Sequence, residues 1–344
     1  MLRMRERGCT RDAATPSAAS PRFMVCTRVA PDAPRAFQHL PAASIAPQLT
    51  PLPASGARAL TLARGLRYAL PRMNPEAALA WAQAERERAA VAKLGADLAP
   101  VGVEVLVFKG IHLAFAVAPT PAFRMCRDAD VLVLGDFGRA VARLRALSDW
   151  QVVDGNWSSH GLRLLATGAY VDLHRLALPP RFGRLDLAGM RARARTRPEL
   201  FGPVLLPDVL DAAVLAIANH AKDTLGPGGG EKLAQDMHLL VTAGVSAEPL
   251  ADRLASHGLR RVGALAFADL TRTDPAWVAF RDACAPSRSE RALLDAAARG
   301  IAEAGSVSER LGFLMVRAVA DRPGDGLASF GLAAARLTRD ILFR

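Results

Sequence analysis

Lysine is nearly missing from this chain. Among 344 residues only Lys93, Lys109, Lys222 and Lys232 carry an ammonium, so arginine supplies the other 40 of 44 basic side chains. Aromatic residues are also scarce, at 6%, which leaves few platforms on which nucleic-acid bases could stack. Cysteine occurs four times, at Cys9, Cys26, Cys126 and Cys284. Their spacing fits neither a metal-ligand pattern nor a disulfide scaffold, and a reduced, cytoplasmic protein is the expectation. No uninterrupted apolar run approaches the ~18 residues that span a bilayer. What the chain does have is 51% hydrophobic residues, enough for a sizeable core, and a length that suits two domains or one large domain with a tail.

The net charge of +11 invites a nucleic-acid reading, but its distribution argues against one. Residues 1–72 hold eleven arginines against Glu6, Asp12 and Asp32, so only +3 of the +11 belongs to the rest. A nucleic-acid enzyme carries its basic patch on the folded body, so a polymeric nucleic acid is an unlikely partner. The Ala/Pro/Ser/Arg-rich composition of 1–72 predicts a disordered tail. A transit-peptide character or a basic arm for membrane or nucleic acid also fits that composition.

The densest chemistry lies in Arg124-Met125-Cys126-Arg127-Asp128-Ala129-Asp130-Val131-Leu132-Val133. Two aspartates one residue apart, running into an apolar β-type stretch, fall on one face of a strand. Carboxylates held that close repel unless a cation lies between them. Magnesium suits such a pair, because it takes its remaining oxygens from water and substrate phosphates. A solvated pair or a turn cap fits the same two residues. Upstream, Val103 to Phe108 predicts a strand ending at Lys109-Gly110. Downstream, Ala169 to His174 predicts a strand on which Asp172 and His174 share a face with Tyr170. A third carboxylate on a neighbouring strand is what a two-metal centre needs. Lys109 is a compact point charge suited to phosphate, beside a glycine that lets backbone approach a ligand.

Phe108-Lys109-Gly110, Arg124-x-x-x-Asp128-x-Asp130-Val-Leu-Val and Val171-Asp172-Leu173-His174 resemble the uncharacterised bacterial nucleotidyltransferase family of the DNA polymerase β-like superfamily. The resemblance extends to His220-Ala-Lys222 and Lys232-x-x-x-Asp236, covering roughly residues 75 to 245. It implies that Asp128, Asp130 and Asp172 bind two magnesium ions, with Asp172 helping to deprotonate an acceptor hydroxyl. It places Lys109 and Gly110 where the wider superfamily has a Gly-Ser or Gly-Gly pair that cradles the triphosphate; here the pair has no hydroxyl. Arg124, Lys222 and Lys232 are the further candidates for a nucleoside triphosphate. His174, His220 and Asp236 are candidate supporting groups, and His174 fits a purely structural role equally well. The expected chemistry is transfer of a nucleoside monophosphate to an unidentified acceptor, with ATP among the possible donors. The alternative is a non-catalytic binding protein on the same scaffold. A metal-dependent phosphohydrolase built on His220, Asp223, Asp236 and His238 lacks the adjacent His-Asp dyad such enzymes use.

The expected architecture is α+β. After the tail, residues 73–205 form a small mixed sheet with helices on one face, and residues 206–344 form a helical region. Asn74 and Pro75 predict the start of a helix running to Gly95. Strands are expected at 103–108 and 129–134, with a helix from about Ile111 and another over Phe137–Leu147. A hairpin turning at Thr167-Gly168 follows. Helical breaks are expected at Gly226–Gly230, Gly244, Gly258 and 323–326. The run at 226–230 lacks the Walker spacing and reads as a flexible connector.

Overall fold

A computed structural model describes residues 75–119, 121, 124, 126, 128–153, 155, 158–223, 229–285 and scattered positions between 287 and 338. The described residues belong to one compact unit, Leu60–Arg344. The expected tail, the Asn74 cap, Gly226–Gly228 and most of 323–326 lie outside them.

Helix α1 (Pro75–Leu98) opens on a proline, whose fixed φ suits a first turn. Its buried residues Ala80, Ala84, Glu87, Val91, Leu94 and Leu98 recur every three or four positions, so one stripe faces inward. One 3-10 turn follows, ended by Gly102 at a φ of 68°. Strand β1 (Val105–Phe108) leads directly into α2 (Lys109–His112), which widens into a π-helical turn over Leu113–Val117. Then come β2 (Ala129–Val133), α3 (Phe137–Arg145), β3 (Trp150–Val153), β4 (Ser159–Leu164) and β5 (Tyr170–His174). Asp136 caps α3 by accepting the Arg139 N–H at 3.0 Å. Short elements follow: α4 (Leu187–Arg193), β6 (Arg195–Thr196), α5 (Pro198–Phe201) and β7 (Leu205–Leu206).

The seven strands form one mixed sheet in the order β3-β4-β5-β2-β1-β7-β6. At its centre β1 is antiparallel to β2, and β2 is parallel to β5. The expected hairpin is β4–β5, turning at Gly168 with a φ of 70°. Strands β3, β6 and β7 are additions to the expected sheet.

Helices cover both faces of this sheet rather than one. Val105, Val107, Val131 and Val133 pack into a core with Val91 and Leu94 of α1 and Leu144 of α3. Leu106, Phe108 and Leu132 point the other way, into a core built with the helical region. That region comprises α6 (Val209–Asp223), α7 (Gly229–Thr242), α8 (Ala247–Ser256), α9 (Arg260–Leu270) and α10 (Val278–Cys284). Burial on both faces explains why β1 reads as an unbroken apolar run. Gly229 and Gly230 are already helical in α7, so the glycine run is not wholly a connector. Gly244 and Gly258 end helices with φ of 105° and 65°, as the sequence predicts. Among the described residues no helix is long and apolar enough to cross a membrane.

Candidate active site

The site grows out of strand pairing. Asp130 lies directly opposite Asp172 across the parallel β2–β5 pair, and Leu132 lies opposite His174. Phe108, the last residue of β1, lies opposite Asp130 on the other side. Paired residues share a face, so Asp130, Asp172, His174 and Phe108 all point toward the helical region. Asp128, one residue ahead of β2, is exposed; it feels the charges of Asp130 and Asp172 but is not part of the close cluster that those two form with His174.

Asp130 is buried and well supplied with donors. Lys109 Nζ donates to its Oδ1 at 2.6 Å, and His174 Nε2 lies 2.8 Å from the same oxygen. An ionised carboxylate only accepts, so Nε2 carries the proton there. The same Nε2 lies 3.4 Å from Asp172 Oδ2, so the imidazole spans both carboxylates. Its ring meets Phe108 edge-on at 5.3 Å, which fixes its orientation. Lys109 has a left-handed backbone, with a φ of 58°, a conformation that costs a non-glycine residue about 1–2 kcal/mol. Strain of this kind collects at functional sites. Here it lets the chain leave β1, enter α2 at once and keep the ammonium on Asp130.

Burial pushes the Asp130 carboxyl up, but the His174 hydrogen bond and the Lys109 ammonium outweigh it and hold the group below the usual carboxylate range. Asp128 moves the other way. Desolvation and the charges of Asp130 and Asp172 raise it, against the pull of Lys109 and Lys232. The cluster therefore keeps an excess of negative charge, which is the condition a hard divalent cation relieves. Ligand-type atoms of Asp130, Asp172 and His174 all lie within 4.8 Å of one another. With His174 Nε2 protonated, the two carboxylates are the oxygen donors, and oxygen donors of this kind suit a hard divalent cation.

Other expected site residues fall into two groups. Gly110 sits beside Lys109, and a Cβ there would lie 3.2 Å from Cys126 Sγ and 3.9 Å from Arg124 Nη2. Glycine thus lets the segment before β2 settle against the start of α2. Lys232 is exposed on α7, close enough for its charge to be felt at Asp128 and Asp236. Arg124 is buried and forked onto Asp236 of α7, with Nε to Oδ1 at 2.6 Å and Nη2 to Oδ2 at 3.2 Å. Desolvation raises the Asp236 carboxyl despite Arg124. His220 on α6 is buried, its Nε2 3.6 Å from Asp269 Oδ2. Lys222 lies in α6, and its side chain is outside the described residues.

Two residues of the site escape the sequence reading. Glu87 on α1 is 1% exposed and accepts the Tyr170 backbone N–H at 3.0 Å. Burial pushes its pKa up to about 7, with Asp128 adding to the rise. Gly161 pairs with Asp172 across β4–β5, and any side chain there would collide with the Tyr170 hydroxyl. Neither belongs to a motif, and Glu87 stands among charged neighbours on α1, where a glutamate ordinarily faces water.

The sequence model of one family, described as an uncharacterised nucleotidyltransferase, matches residues 34–270, more than half of the chain. The chain belongs to that nucleotidyltransferase family. All of the expected site residues lie inside the matched span. No protein of curated function matches the chain. Among solved structures it is similar to an antigenic nucleotidyltransferase-like protein from Paracoccidioides brasiliensis, at 15% identity and a TM-score of 0.39. That likeness covers 58% of this chain and 93% of the other. Membership of the nucleotidyltransferase family stands on the sequence match alone.

Proposed function

We propose that the protein is a magnesium-dependent nucleotidyltransferase that moves a nucleoside monophosphate from a nucleoside triphosphate to a hydroxyl of a small molecule or a protein. The observation that carries this reading is the paired position of Asp130 and Asp172 on adjacent parallel strands, with Asp128 near enough to feel both charges. The acceptor oxygen forms a bond to the α-phosphorus in line with the leaving oxygen. The bond from α-phosphorus to the bridging oxygen breaks, and pyrophosphate leaves with the electron pair. The hydroxyl proton passes to Asp172, which is only half-buried. Asp128, Asp130 and Asp172 would hold two magnesium ions, which when bound supply charge neutralisation at the attacking and leaving oxygens.

The remaining roles belong to this chain's own side chains. His174 Nε2–H bridges Asp130 and Asp172 and fixes their oxygens, which makes it a positioning residue rather than a ligand. Lys109, Lys222 and Lys232 supply compact charge to the triphosphate, and Gly110 lets backbone approach it. Arg124 acts through Asp236: the buried fork ties α7 to the segment entering β2 and so sets where Lys232 stands. His220 supports that pair from α6. Cys126 and Cys284 are free and buried, which supports a reducing, cytoplasmic setting.

The test is differential thermal unfolding with ATP, GTP, CTP and UTP, each with and without magnesium, on wild type and Asp130→Asn. A ligand that binds only the folded state raises the midpoint by mass action. A magnesium-dependent rise for one triphosphate, lost in the variant, supports the reading and names the donor. No rise with any triphosphate points to a non-catalytic binding protein on this scaffold.

A further inference from the structure

Lys109 does something at Asp130 that a phosphate-binding lysine need not do. Its ammonium lies 2.6 Å from Asp130 Oδ1, the oxygen His174 also contacts, in the carboxylate that pairs with Asp172. It holds that place from a left-handed backbone position one residue past β1, the last residue of which lies opposite Asp130. The 5.2 Å approach of Nζ to the Phe108 ring holds the charge over the cluster from a second side. The chain thus keeps a tethered cation on the carboxylate most enclosed by the sheet.

We propose that Lys109 is a built-in counter-ion that makes cation binding conditional on nucleotide. The inference rests on the nucleotidyltransferase reading above and adds an order of events to it. A bare divalent cation that uses Asp130 has to compete with the ammonium for a shared oxygen and accept its repulsion. A nucleoside triphosphate changes that balance, because its phosphate oxygens offer the ammonium a new partner of higher charge. Lys109 then moves from Asp130 to phosphate, and the freed carboxylate becomes available to the cation. Coupling of this kind is reciprocal, so nucleotide tightens cation binding by the same factor as cation tightens nucleotide binding. One consequence is a site that ignores free magnesium or manganese and takes the cation together with its nucleotide.

The test is a titration with Mn2+ alone and then with Mn2+ and the triphosphate that stabilises the protein, following free Mn2+ by electron paramagnetic resonance. Wild type, Lys109→Met and Lys109→Arg are compared. Lys109→Met removes the charge from a chain of similar length, and Lys109→Arg retains it. In the absence of nucleotide, Lys109→Met is expected to bind Mn2+ about tenfold or more tightly than wild type, while Lys109→Arg stays weak. The nucleotide-induced gain in Mn2+ affinity is expected to be smaller in Lys109→Met than in wild type, because only the direct ligation of the cation by phosphate oxygens remains. Equal Mn2+ affinity of all three proteins without nucleotide overturns the counter-ion role, even where wild type still binds triphosphate with metal. Absence of both cation and triphosphate binding in wild type overturns the nucleotidyltransferase reading itself, and this inference with it. Circular dichroism identifies a misfolded Lys109→Met protein, and Lys109→Arg then decides: tight binding of bare Mn2+ by a variant that retains the charge overturns the role.

Discussion

Asp130 and Asp172 stand opposite each other on parallel strands, and His174 Nε2 reaches both, at 2.8 Å and 3.4 Å. One imidazole proton thus lies between two carboxylates, and its removal should be felt at both. His174→Ala is expected to cost about 1–3 kcal/mol of stability, from the lost charged hydrogen bond and the Phe108 contact. It should also weaken metal binding about 10–100-fold, the usual effect of losing a group that orients ligands. Urea unfolding and a Mn2+ titration with nucleotide present measure the two separately. An unchanged metal affinity would show that the histidine only packs.

The left-handed backbone of Lys109 separates from its side chain by mutation. Lys109→Ala and Lys109→Gly both delete the ammonium, but only glycine relieves the φ of 58°. Lys109→Gly should therefore be more stable than Lys109→Ala by about 1 kcal/mol. Both should lose nucleotide binding alike. Equal stability of the two variants would mean that the chain carries no strain there.

Arg124 and Asp236 form a buried fork between residues 112 positions apart in sequence. Removing one partner leaves an uncompensated buried charge, so Arg124→Met or Asp236→Leu alone is expected to cost about 3–5 kcal/mol. The double variant should recover much of that loss in a double-mutant cycle of urea unfolding. Additive losses would deny the coupling.

Glu87 gives a pH signature distinct from that of Asp130. Its carboxyl is raised from 4.5 to about 7 by burial, so the folded state holds a proton that the unfolded chain has released. The cost of ionising it is absent below the unfolded pKa, grows as pH rises, and is complete above the folded one. Its ceiling is about 3 kcal/mol. Glu87→Gln keeps an acceptor for the Tyr170 N–H and never ionises, so it should gain on wild type between pH 5 and pH 8. Parallel stability profiles for the two proteins would contradict the shift.

The parts of this site that could be read in the sequence are those set by short-range periodicity. Alternation placed Asp172 and His174 on one face of β5, and the order of charged and apolar residues located β1, β2 and the β4–β5 hairpin. What could not be read depends on which strands meet. The Asp130–Asp172 pairing follows from β2 and β5 lying parallel and adjacent, a fact of topology that neither strand carries alone. Strands β6 and β7, two residues each, are too short to show a period. The contact of Lys109 with Asp130 could not be read, because a left-handed turn out of β1 leaves no local trace. The Arg124–Asp236 fork was hidden for a related reason: its two partners lie far apart in the chain, on the segment before β2 and on α7. Glu87 sat on an amphipathic helix among charged neighbours, where a glutamate ordinarily faces water.

The account turns on Asp172 sharing a metal with Asp130, and Asp172→Asn tests this with least disturbance, since Asp172 is only half-buried. The measurement is Mn2+ binding by electron paramagnetic resonance, at saturating concentration of the triphosphate that stabilises wild type. The expected result is bound Mn2+ in wild type and a loss of about tenfold or more in affinity for Asp172→Asn, with its fold intact. Equal Mn2+ binding by both proteins would contradict a metal centre built across the β2–β5 pair.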